Sequence, residues 1–115
     1  MRFMTDSLNK YDVVVVKFPF ASSLKYKARP AVIISKEYYN QNSRGTYLIL
    51  AISSQVESKL EIEQKIVFWR EANLLKPSLF KSSIATVEKD FVIYRLGSLM
   101  QNDRDILDKF LDDIL

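Results

Sequence analysis

Tyr11–Ser35 reads YDVVVVKFPFASSLKYKARPAVIIS, and the fold turns on how this stretch is divided. Val13 to Val16 is too uniformly apolar to keep one face in water, so Tyr11–Pro19 is expected as a largely buried strand. Pro19 has no N–H for a ladder and ends or edges that strand. Phe20–Ala28 is expected as a polar loop carrying Lys25 and Lys27, and Arg29–Ser35 as a second buried strand. The Pro30 ring restricts Arg29 to extended backbone angles, which sets the direction of its side chain before any ligand arrives. A guanidinium offers two-pronged donation to phosphate oxygens and keeps its charge at any usable pH. Two buried strands with cations at their junction make a rigid base for an anion.

Outward from this pair, residues 1–10 read as a polar tail or turn, and Lys36–Asn42 as a helical turn closed by Ser43-Arg44-Gly45. Thr46–Ser54 (TYLILAISS) reads as a third strand. Leu60–Trp69 alternates Leu60, Ile62, Ile66 and Phe68 with Glu61, Glu63 and Lys65, the pattern of a strand with one wet face. Arg70–Leu75 is expected as a short helix stopped by Lys76-Pro77. Ser78–Val87 and Phe91–Leu96 are further strands. A closing helix begins at Asn102 as N-cap, with Asp103 and Asp105 favouring the exposed amides of its first turn. Its apolar stripe is Ile106, Leu107, Phe110, Leu111, Ile114 and Leu115, a core or dimer face. Strands first and one long helix last, without β-α alternation, predict an α+β domain: a small antiparallel barrel with a C-terminal helix. One domain, residues 1–115, accounts for the whole length.

The 115 residues contain no Cys and no His, which removes thiol nucleophiles, thiolate or imidazole metal sites and a histidine base. No acids cluster in the apolar strands to build a carboxylate metal site, so neither metal nor cofactor is expected. No run of about 18 apolar residues is present and the N-terminus lacks the apolar stretch of a signal peptide, so a cytoplasmic protein without membrane contact is expected. The net charge of +3 is uneven. Residues 101–115 carry a net −3, and Lys17, Lys25, Lys27, Arg29, Lys36 and Arg44 against Glu37 give +5 within 28 residues. Such a local excess suits a polyphosphate partner, although surface lysines also serve solubility alone.

The Arg29-Pro30 pair resembles a motif of the MazF/PemK family of ribosome-independent endoribonucleases, the toxins of toxin–antitoxin pairs. Three further blocks resemble the same family in the same order. Ala51-Ile52-Ser53-Ser54-Gln55 resembles its strand-ending I-T-S-Q or I-T-A-Q, with Ser53 in the place of the hydroxyl residue. Leu74–Lys81 resembles its L-K-P-S segment, and Ile84-Ala85-Thr86 with Arg95-Leu96-Gly97 its later pattern. Two departures stand out. Some members carry Arg-x-Asp where this chain has Lys81 and Ser83, so a carboxylate base is not carried over. The family's Gly-Asp before the first strand is Tyr11-Asp12 here, read as a difference in packing.

The resemblance spans residues 11–114 and implies the SH3-like MazF/PemK/CcdB barrel, with Arg29 and Ser53 catalytic. It implies cleavage of single-stranded RNA to 2′,3′-cyclic phosphate and 5′-hydroxyl ends, a homodimer whose facing loops form the RNA channel, and a cognate antitoxin whose flexible acidic segment occupies it. Lys17, Lys25, Tyr26, Lys27, Ser54, Gln55 and Lys81 are the candidate RNA contacts, Tyr26 by stacking on an unpaired base. Phe18 and Phe20 also stand near the basic loop, where aromatics invite stacking, but Phe18 is expected in the core, and Trp69 in core or interface. The proton acceptor stays open among Lys81, Lys25, Arg29 and a bound water. Two rival readings remain: a CcdB-like toxin that inhibits DNA gyrase without catalysis, and a barrel that binds nucleic acid without cutting it.

Overall fold

The computed structural model describes residues 8–19 and 26–115. Six strands form one antiparallel sheet: β1 (Asp12–Pro19), β2 (Tyr26–Ile33), β3 (Thr46–Ser53), β4 (Gln64–Lys65), β5 (Leu79–Glu88) and β6 (Val92–Ser98), in the order β4-β5-β3-β2-β1-β6. A short helix α1 (Glu37–Asn42) links β2 to β3, and α2 (Gln101–Ile114) closes the chain. The sequence places most of these elements within a residue or two. β2, however, begins at Tyr26 rather than Arg29, so Tyr26–Ala28 is paired strand (Lys17↔Ala28, Phe18↔Lys27, Pro19↔Tyr26) and not loop.

Both faces of the sheet are buried, as the apolar runs require. Val13, Val32, Leu50, Ile52 and Phe80 on one face pack with Leu107, Phe110 and Leu111 of α2. The Phe80 and Phe110 rings stack with centroids 6.4 Å apart. Val14, Val16, Ala31, Ile33, Ile49 and Val87 form a second cluster on the other face, joined by Leu8 and Tyr47. A sheet with a helix on one side only buries its second face by curling on itself, which gives the barrel-like form expected. Among the described residues β4 and β6 remain unpaired edges, so the curl is not closed. Each fully buried Val, Leu or Ile contributes about 1.5–3 kcal/mol, so this double core outweighs every surface contact.

Three local expectations are corrected. Leu60–Trp69 is not an alternating strand: only Gln64–Lys65 pair with β5, Leu60, Ile62 and Phe68 are exposed, and Glu63 is buried. The Glu63 carboxylate draws the chain inward because it accepts the Leu60 amide at 3.0 Å and the Ser82 amide at 3.3 Å. Arg70–Leu75 is a turn rather than a helix, with Asn73 at φ +66°. Helix α2 is entered from Met100, not Asn102, and the wholly buried Asp103 carboxylate accepts the Val67 and Phe68 amides at 2.9 and 2.8 Å instead of capping its own helix.

The turn at residues 67–73 docks against β6 at Gly97. A Cβ there would lie 2.9 Å from the Ala72 carbonyl oxygen and 3.2 Å from its carbon, both rigid backbone. Gly97→Ala is expected to cost about 1–3 kcal/mol, read as a lower urea midpoint with an unchanged m-value.

Tyr11 is not a simple packing substitution for the family's glycine. Its φ of +78° lies in the left-handed region that glycine enters without penalty. Its backbone is held on both sides, donating to Ile33 O at 2.8 Å and accepting from Leu99 N at 3.0 Å. Its phenol donates to Asp108 on α2 at 2.8 Å, and the Arg104 guanidinium lies 4.9 Å from its ring centre. Burial, then the Asp108 hydrogen bond and charge, push the phenol up to about 12 from 10.0. The folded state thus holds this proton more tightly than the unfolded chain. The resulting stability is fully present below pH 10 and is lost as pH rises through about 12. Tyr11→Phe should flatten that alkaline decline in urea midpoints measured from pH 9 upward.

Candidate functional site

Arg29 lies on β2 opposite Val16, at the last fully buried position of β1. Its side chain is exposed and makes no ion pair among the described residues. Ser53 ends β3 opposite Leu79 and is half-buried. Its Oγ accepts the Gln55 amide at 3.0 Å, which fixes the hydroxyl while leaving its proton to donate elsewhere. Arg29 and Ser53 line one open groove of about 320 Å³ together with Phe18, Gln55, Lys81 and Ser83. The lining holds two cations, two hydroxyls and an amide, and no carboxylate. Such a lining is chemically suited to an anion with hydrogen-bonding neighbours.

Strand geometry explains the convergence. Phe18, Arg29, Ala51 and Ser53 continue the alternation of Val16, Ala31 and Ile49, so they leave the second core cluster on the same face where the apolar residues end. Phe18 both packs on that cluster and walls the groove. On β5 the register to β3 jumps from Ile84↔Leu50 to Phe80↔Ile52. Residues 81–83 therefore stand against Ala51 alone, a bulge that turns Lys81 and Ser83 into the groove.

The other candidate contacts are spread around this centre. Lys27 is exposed two residues before Arg29 on the same face of β2, and Lys17 is exposed on the opposite face of β1 from Phe18; neither lines the groove. Ser54 turns away from Ser53 into a second groove of about 400 Å³ behind Arg29-Pro30, walled by Val15, Ile52, Leu74 and Tyr94. Arg29 and Ile52 border both grooves. Tyr26 opens β2 opposite Pro19, and Lys25 lies outside the described residues, as does Phe20. Trp69 is packed against the first core cluster with the Arg70 guanidinium over its ring. In the sequence Ser83 marks only the place of a missing acid; its position in the groove depends on the β5 bulge, for which no local signal exists.

Among the described residues no group of three acidic side chains is placed to hold a metal ion. No helix is long and apolar enough to cross a membrane. Residues 9–115 match the family described as PemK-like, MazF-like toxin of type II toxin-antitoxin system. Among solved structures the chain is similar to an endoribonuclease in complex with its cognate antitoxin from Mycobacterial species. That match has a TM-score of 0.70 at 15% identity and covers 94% of this chain and 92% of that one. It is similar to an endoribonuclease from Mycobacterial species (0.70, 15%, 97% and 93%). It is also similar to Mycobacterium tuberculosis toxin MazF-mt6 (0.63, 18%, 87% and 93%). At these identities the structures share the fold. No curated protein matches the chain.

Proposed function

The chain belongs to the PemK-like, MazF-like toxin family of type II toxin–antitoxin systems, and from that premise we propose that it is a metal-independent endoribonuclease acting on single-stranded RNA. The observation that carries the proposal is the meeting of Arg29, Ser53 and Lys81 in one open, cationic groove without a carboxylate. Cleavage of RNA through its own 2′-hydroxyl requires alignment of that oxygen with phosphorus, loss of its proton and stabilisation of the dianionic phosphorane. The 2′-oxygen forms a bond to phosphorus as the bond to the 5′-oxygen breaks, leaving a 2′,3′-cyclic phosphate and a 5′-hydroxyl. Arg29 is assigned the charge that develops on the non-bridging oxygens, through the two-pronged donation a guanidinium provides. Ser53, its oxygen already occupied by the Gln55 amide, donates its proton to one of those oxygens. The lining offers no acid or imidazole, so the 2′-proton passes to water, the Lys81 ammonium adds positive charge beside the phosphate, and the leaving oxygen is protonated from solvent.

Single strands are the substrate class because a duplex of A-form hides its base edges from side chains. Gln55 and Lys27, flanking the centre, are assigned to the neighbouring nucleotides. The same excess of positive charge suits an acidic segment of an antitoxin, and the protein is assigned to the cytoplasm as a homodimer bound by that partner. The test is incubation of the pure protein with a long single-stranded RNA in EDTA. Discrete fragments with cyclic-phosphate ends are expected. Intact RNA accompanied by inhibition of DNA gyrase would replace this reading with the non-enzymatic one.

A further inference from the structure

We infer that Glu63 is a positioning residue for this reaction: it pins the β5 bulge that aims Lys81 and Ser83 at the bound phosphodiester. The inference rests on the nuclease reading above. The β4–β5 ladder runs through Lys65↔Leu79 and Gln64↔Phe80 and then stops. At the next position the backbone of Glu63 turns away, its N–H donating to Leu60 O at 3.1 Å. The Glu63 side chain takes over the ladder's task. One carboxylate oxygen accepts the Leu60 amide at 3.0 Å, and the other accepts the Ser82 amide at 3.3 Å and its hydroxyl at 3.5 Å.

Ser82 is the middle residue of the three that bulge against Ala51, and its neighbours on either side are the two that enter the groove. Fixing the Ser82 backbone from the β4 edge of the sheet therefore fixes where Lys81 and Ser83 point. A carboxylate is only 4% exposed here, a costly place for a charge without such a duty. Burial by itself raises the Glu63 carboxyl, but the Leu60 and Ser82 amides, the nearby Lys81 charge and the Ser82 hydroxyl together hold it below its ordinary value. Thus it stays ionised at neutral pH and attracts Lys81 as well as bonding its neighbour. The missing acid of β5 has no replacement in the groove itself; the nearby carboxylate sits at the β4 edge of the strand and acts on its shape.

The experiment is a double-mutant cycle on cleavage of a defined RNA, with Glu63→Gln, Lys81→Ala and the pair. Glu63→Gln is expected to lower kcat roughly 10- to 100-fold with KM nearly unchanged, the size expected when a catalytic group is displaced by about 1 Å. In the Lys81→Ala background the same change should cost less than threefold. Equal losses in both backgrounds, or full activity in Glu63→Gln, would overturn the inference. A second measurement needs no variant. In the wild-type protein the Ser82 amide should exchange slowly with solvent, and its resonance should move as pH falls below 4.5 and Glu63 protonates. A freely exchanging Ser82 amide that ignores this titration overturns the pin even if cleavage is never observed. Wild-type protein that leaves RNA intact overturns the nuclease reading and the catalytic part of the inference with it.

Discussion

Arg29→Ala will reduce RNA cleavage by about 10²–10³-fold in kcat while the protein remains folded and still binds RNA. The size follows from removing a pre-aimed donor to charge that appears only in the transition state. Arg29 is exposed and has no ion-pair partner among the described residues, so its loss leaves no buried group unsatisfied and the melting temperature should hardly move. Binding is shared with Lys27, Lys81 and the rest of the basic segment, so affinity should fall only severalfold and chiefly at low salt. Arg29→Lys separates charge from geometry. Lysine keeps the charge but not the planar fork, and should recover only part of the activity. The check is single-turnover cleavage beside a filter-binding isotherm. Equal loss of binding and cleavage would make Arg29 a grip on the substrate rather than a catalytic group.

Asp103→Ala will be the most damaging change outside the site. Asp103 is fully buried, and its two oxygens accept amides 36 and 35 residues distant, tying α2 to the turn that carries Val67 and Phe68. Hydrogen bonds to a charged group contribute about 1.5–3 kcal/mol each, so losing both should cost about 3–6 kcal/mol. That is a large share of the roughly 5–15 kcal/mol by which a domain is stable. Thermal melts should shift down by more than about 10 °C. Asp103→Asn keeps one acceptor but turns an amide group toward the second N–H, so it should fall between the two. An Asp103→Ala protein with unchanged melting would show that α2 is held by its apolar stripe alone.

What was legible in the chain depended on how local the cause is. The runs Val13–Val16 and Ala31–Ile34 announce buried strands because their burial is written in consecutive residues. The stripe of α2 is equally plain, with Leu107, Phe110 and Leu111 buried and only its last member, Leu115, left in water. Residues 60–69 depart from their pattern because two carboxylates tie them to distant segments. Glu63 ties to Ser82 and Asp103 receives Val67 and Phe68, and both bonds override an apolar alternation that otherwise favours a strand. Asn102 misled for the same reason, since the acid after it is spent on another segment. The motifs single out Arg29, Ser53 and Lys81, which line one groove, and strand alternation explains why the first two share a face. The bulge that brings Lys81 and Ser83 to them arises from register between β3 and β5, a property of two strands that neither displays alone. Likewise the strained φ of Tyr11 becomes visible only in the folded backbone.

Arg29 and Ser53 are assigned to act together on a single phosphodiester. The direct measurement is kcat at one end-mapped bond of a defined RNA, in EDTA, for the wild type, Arg29→Ala, Ser53→Ala and the double variant. Expected are a 2′,3′-cyclic phosphate at that bond, a large loss in each single variant, and a loss in the double variant well short of their product, as for groups that serve one transition state. Single variants that cleave at the wild-type rate, or losses that multiply in full, would contradict it.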